Sequence, residues 1–246
     1  MRQSKSPMPH SRYFKKGQKI ILRALDPGAQ AGRFESLTVY LEALDRDCLD
    51  FALPYRNRDE ERYPFAPGMP FEILSDSLGL GVSLTGRFRE RIGAHLIRVE
   101  VNHDLQMFQR RLFGRRDLRI GLRFTRGQGT LRSFREQWEK NIHILAKSGE
   151  LSRLPAFPRC RVNLSASGIR FGVRAPMEIA DLFLLLLEID GASPPICTLA
   201  EVVWTGEEEN GDRVTAGMRF IAILESDRKR IDRLLKAGGD SEPPQS

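Results

Sequence analysis

Residues 117–124 read Asp-Leu-Arg-Ile-Gly-Leu-Arg-Phe. Leu118, Ile120, Leu122 and Phe124 alternate with Asp117, Arg119, Gly121 and Arg123. A period of two sets the apolar residues on one face of an extended chain and the polar ones on the other. The stretch therefore predicts a strand with one face in a core, closed by Gly127 and Gly129.

Downstream the period changes. Leu131, Phe134, Trp138, Ile142 and Leu145 fall at steps of 3, 4, 4 and 3, forming one stripe along a helix. Ser133-Phe134-Arg135-Glu136 has the form of a capping box, so the helix is expected over about 133–148, with Gly149 ending it. Strand patterns then resume at 159–164, 168–173, 182–189, 196–205 and 213–223. The run LFLLLLEI at 182–189 lacks alternation, and its length and its place among strands favour β. The segment 225–236 is a short amphipathic helix, with Ile231, Leu234 and Leu235 set to close one end of a barrel.

Upstream, 19–25, 36–44, 48–53, 71–74, 81–90 and 94–101 read as short strands separated by Gly, Pro and Asp turns. The fold class expected is mainly β: two small antiparallel β-barrels with an inserted helix and a C-terminal helix. The expected domains are a flexible segment 1–15, a first barrel 16–104, a second barrel 105–236 carrying the helix, and a disordered tail 237–246.

Composition narrows the function. The 246 residues carry a net charge of +7, which favours an anionic partner. The longest apolar run, 182–187, is too short to span a bilayer, and 1–12 carries no apolar signal core, so cytoplasmic residence is expected. Cys48, Cys160 and Cys197 have no metal-ligand or redox spacing, and His10, His95, His103 and His143 form no cluster, so neither a metal nor a cofactor is expected. No nucleophile–base order or phosphate loop marks a catalytic residue. Glu207-Glu208-Glu209 reads as a hairpin tip.

Two short stretches carry the candidate chemistry. Gln109-Arg110-Arg111-Leu112-Phe113-Gly114-Arg115-Arg116 packs four arginines where one barrel hands over to the next. Guanidinium forks suit phosphate oxygens, and their flat faces stack on bases. Asn163-Leu164-Ser165-Ala166-Ser167-Gly168, between two strands, offers polar groups to a base edge and a glycine for close approach. Taken singly, the first also reads as a solubilising linker and the second as an ordinary hairpin turn.

Together, Arg111-x-x-x-Arg115 and Asn163-x-Ser165-x-x-Gly168 resemble the two-part signature of the PilZ family, RxxxR and [DN]xSxxG. Ile169-Arg170-Phe171 and Gly217-Met218-Arg219-Phe220 resemble its flanking strands, and the likeness covers about 105–236. The first half, from Gly17-Gln18-Lys19-Ile20, resembles the small barrel that precedes PilZ in YcgR-like (flagellar-brake) proteins. The resemblance implies a six-stranded barrel that binds cyclic di-GMP. Arg111 and Arg115 would grip phosphates and stack on guanine, with Arg110 as helper. Asn163 and Ser165 would read a guanine edge, and Gly168 would permit close approach. Ligand binding would reorient the two barrels, and the output would pass to a protein partner in the flagellar motor, polysaccharide synthesis or gene regulation.

The stretch from Arg115 to Asn163 is longer than the compact family pattern, and the helix supplies the excess. Its stripe either covers the barrel or, through Phe134, Trp138 and Ile142, forms a seam between copies. Two rival readings of the whole chain stay open: a PilZ-fold adaptor that does not bind the dinucleotide, and a basic nucleic-acid-binding barrel.

Overall fold

The strand patterns form in the computed structural model, which describes residues 9–25, 32–55, 63–77, 80–108, 114–127, 130–147, 156–191, 193–207 and 212–237. The chain divides into two units, Met1–Gln30 with Glu35–Leu112, and Ala31–Phe34 with Phe113–Ser246.

The first unit contains β1 (Lys19–Ala24), β2 (Arg33–Leu44), β3 (Cys48–Ala52), β4 (Pro70–Ser77), β5 (Leu80–Arg91), β6 (Leu96–Val101) and β7 (Gln106–Phe108). Antiparallel pairing runs β1–β4–β5–β6–β3–β2 and returns from β2 to β1, a closed ring with no free edge. The ring is filled by side chains such as Ile20, Leu22, Phe51, Phe71, Ile73 and Ile97. The three-residue β7 adds to β5, so this unit continues past Asp104.

Within the expected lead-in 1–15, residues 1–8 lie outside the described residues, Pro9–Arg12 form a 3-10 turn, and His10 and Phe14 are buried. The His10 ring nitrogen Nε2 lies 3.3 Å from the Asp45 carbonyl oxygen, and Phe14 supplies an apolar anchor that polar neighbours hide in the sequence.

The second unit contains β8 (Arg116–Arg126), β9 (Arg159–Ser165), β10 (Gly168–Arg174), β11 (Leu182–Glu188), β12 (Ile196–Glu207) and β13 (Arg213–Leu224). Pairing runs β8–β9–β10–β13–β12–β11 and back to β8, a closed six-stranded antiparallel ring. Ile120, Leu122, Val162, Phe171, Phe183, Val202 and Phe220 fill it. Helix α2 (Glu225–Ala237) adds Ile231 and Leu235 to the same core, whereas Leu234 is only half-buried.

Helix α1 (Leu131–Ala146) packs on β11 and β12. Its cap is Thr130 rather than Ser133: the Thr130 hydroxyl accepts from the Ser133 backbone N–H at 3.3 Å, and Glu136 instead pairs with Arg132 at 2.9 Å. Starting two residues earlier brings Leu131 into the buried row with Phe134 and Trp138. The Trp138 indole N–H donates to the Cys197 carbonyl at 3.0 Å, a buried bond across to β12. The stripe thus covers the barrel, and Phe134 and Trp138 are spent within one copy. Gly149 lies outside the described residues.

This packing also accounts for the missing alternation in β11. Phe183, Leu185 and Leu187 point into the barrel. Leu182 and Leu184 are buried as well, on the face that α1 covers. A strand buried on both sides has no polar face to display.

Candidate functional site

On the outer face of the second barrel, strand pairing lines up residues from five strands. Asp117 on β8 lies opposite Asn163 on β9, and Asn163 lies opposite Arg170 on β10. Arg170 is opposite Gly217 on β13, and Gly217 is opposite Trp204 on β12. The result is a continuous transverse row of carboxylate, amide, guanidinium, bare backbone and indole.

The row has an internal electrostatic order. Asn163 Nδ2 donates to Asp117 Oδ1 at 2.9 Å, and Arg170 Nη2 stands 3.6 Å from the same oxygen. Fixing Nδ2 on a carboxylate turns Asn163 Oδ1 into the free, accepting end of the amide. Exposed pairs of this kind add little stability. Their effect is to set directions.

Trp204 and Gly217 form the far end. A Cβ on Gly217 would overlap the indole, with Nε1 as its nearest atom, so the ring lies over the bare backbone. Trp204 is 41% exposed although it shares its parity with the inward-facing Ala200 and Val202. The register slips between Val202 and Trp204, and this bulge rotates the indole outward. Nothing in the local alternation signals the change.

Of the expected site residues, Asn163 is in the row. Arg115 is exposed and directly precedes β8, whose first residue pairs with Leu164 just before the β9–β10 turn. Ser165 is 3% exposed. Its hydroxyl donates to the Gly168 carbonyl at 3.1 Å and lies 3.4 Å from the Ser167 backbone N–H, so it braces the turn and does not present itself to solvent. Gly168 does serve a close approach, with the β13 backbone as the neighbour: a Cβ there would overlap the Met218 carbonyl. Arg110 and Arg111 lie outside the described residues. Sequence reasoning passed over Asp117 and Trp204 as site residues; only the register of five strands brings them together. Among the described residues, no group of His, Cys, Asp and Glu side chains has the arrangement of a metal site.

The PilZ domain matches residues 109–237, just over half the chain. The chain belongs to the PilZ domain family. No curated protein matches it. Among solved structures, it is similar to the Bacillus subtilis inhibitor of motility MotI/DgrA at 11% identity, over 93% of this chain and 100% of that one, with a TM-score of 0.38. The complex of MrkH from K. pneumonia with c-di-GMP is similar at 14% identity, over 89% and 86%, with a TM-score of 0.32. A tetrameric PilZ domain from Xanthomonas campestris, self-assembled through a helical bundle, is similar at 16% identity, over 52% and 89%, with a TM-score of 0.37. The family assignment stands on the domain match alone. Among the described residues, no helix of this PilZ protein is long and apolar enough to cross a membrane.

Proposed function

We propose that the second barrel is a receptor for cyclic di-GMP and that it works by binding alone. The observation that carries this reading is the transverse row from Asp117 to Trp204, beside Arg115. Guanine offers N–H donors on its Watson–Crick edge and the acceptors N7 and O6 on the opposite edge. The free Oδ1 of Asn163 and the carboxylate of Asp117 are acceptors for the first edge, and Arg170 supplies donors for the second. The Trp204 indole provides a stacking face, and the Arg115 guanidinium suits a phosphate. Arg110 and Arg111 join Arg115 as phosphate and base-face ligands on this reading. Ser165 and Gly168 act as positioning residues that hold the turn bearing Asn163.

On the finer level, capture of the ligand by the arginine stretch at 110–115 changes the arrangement of the two units, and that change is read by a protein partner controlling motility, biofilm or polysaccharide output. Small-angle scattering with and without ligand tests the rearrangement. The receptor reading itself is tested by titration calorimetry on the full chain, with Arg111→Ala, Arg115→Ala and Asn163→Ala. Each variant is expected to bind at least tenfold more weakly than wild type. Cyclic di-AMP, lacking guanine's donor edge, is expected to bind far more weakly than cyclic di-GMP. No heat with folded wild-type protein sinks the proposal.

A further inference from the structure

The β9–β10 ladder stops at Arg170 opposite Asn163, although β9 runs back to Arg159 and β10 continues to Arg174. Beyond that point β9 stays with β8 and β10 stays with β13, so the two strands part. A groove of about 850 Å³ opens between them, within the usual size range of small-molecule sites. Its floor is apolar. Phe124 and Phe171 line it with ring centroids 5.5 Å apart, and Phe124 is 46% exposed although its parity points it into the barrel. The sequence-based expectation that Phe124 is buried therefore fails: it sits where the parted strands leave the barrel interior uncovered.

The walls are basic. Arg159, Arg161, Arg174 and Arg213 line the groove, against a single carboxylate, Asp212. Arg159 leans 3.6 Å from Glu188, and Arg213 donates to the Gly172 carbonyl at 3.0 Å. Arg161 and Arg174 have no ion-pair partner among the described residues. Each also faces another arginine across its ladder, Arg161 opposite Arg119 and Arg174 opposite Arg213. Like charges directly opposite one another destabilise an antiparallel pair. Two such pairs flanking one groove leave a surplus of positive charge that a bound anion would offset, above an exposed apolar floor that water serves poorly.

We propose that this groove is a second ligand site, taking a small amphiphilic anion whose apolar body lies on Phe124 and Phe171 and whose charged group is held by Arg161 and Arg174. The inference rests on the groove itself and does not depend on the dinucleotide reading of the adjacent row. The probe is the aromatic sulfonate 8-anilino-1-naphthalenesulfonate, titrated into the full chain and followed by fluorescence. Wild type is expected to bind it, and Arg161→Ala/Arg174→Ala at least tenfold more weakly, with circular dichroism and cyclic di-GMP titration unchanged because both side chains are exposed and outside the row. Laurate below its micellar concentration is expected to displace the probe, and acetate at equal concentration to leave it bound. Equal probe affinity in wild type and variant, no binding by wild type, or equal competition by acetate would overturn the proposal. Competitive displacement by cyclic di-GMP would overturn it too, since the groove would then be part of the dinucleotide site.

Discussion

The indole of Trp204 lies across the bare backbone of Gly217, with its Nε1 nearest the place where a side chain at that glycine would begin. Base–aromatic stacking contributes about 1–3 kcal/mol per base. Trp204→Ala is therefore expected to weaken cyclic di-GMP binding roughly 5- to 150-fold. Gly217→Ala displaces the ring and acts in the same direction without removing it. Calorimetry on both variants checks this; wild-type affinity in Gly217→Ala would remove the indole from the site.

The two tryptophans are also separable by light. Trp138 is fully buried and Trp204 exposed. Acrylamide is expected to quench Trp204 alone, and the ligand to shield it. Trp138→Phe should retain that ligand-dependent shielding, and Trp204→Phe should lose it.

Ser165 and Gly168 are expected to respond as structural residues. Ser165→Ala removes a hydroxyl that braces the turn and is expected to cost about 1 kcal/mol. Gly168→Ala drives a methyl group against the Met218 carbonyl, so the β10–β13 ladder must shift, and a larger loss is expected. Hydrogen exchange of β10 and β13 reads both. If the ladder in Gly168→Ala is as protected as in wild type, the close approach is not limiting.

Helix α1 depends on Trp138. Trp138→Ala is expected to cost about 3–5 kcal/mol in the second unit, through a lost ring and the cavity it leaves. Trp138→Phe should cost less, chiefly the bond to the Cys197 carbonyl. Urea unfolding followed by exchange of α1 and β11 amides separates this from the first unit, whose strands are expected to unfold as before.

Burial pushes the Cys197 thiol up to about 12, whereas Cys48 and Cys160 are half-buried. At pH 8 only about one in ten thousand Cys197 thiols is the reactive thiolate. Ellman's reagent is expected to reach two thiols in the native protein and the third only after denaturation. Native release of three equivalents would mean that the cover formed by α1 opens.

Much of the fold was legible because strand and helix periods differ. The alternation at 117–124 and the 3-4-4-3 stripe from Leu131 each admit one element, and the glycines at 168 and 217 mark places with no room for a side chain. The start of α1 was less legible, because Thr130 and Ser133 are both competent caps and the choice falls to the burial of Leu131.

What the sequence determined by itself was therefore the six strands of each ring, the two helices and the family to which they belong. The tertiary structure decided which side chains face the same space. Parity assigns a face only while a ladder is regular, and whether it stays regular depends on the strand alongside. A slip against β13 turned Trp204 outward. The parting of β9 from β10 left Phe124 uncovered, and the cover of α1 hid the outer face of β11. The β9–β10 and β12–β13 hairpins set Asn163 beside Arg170 and Trp204 beside Gly217, but the row from Asp117 to Trp204 is joined only by the Asp117–Asn163 and Arg170–Gly217 pairings between residues far apart in the chain, which no local pattern encodes.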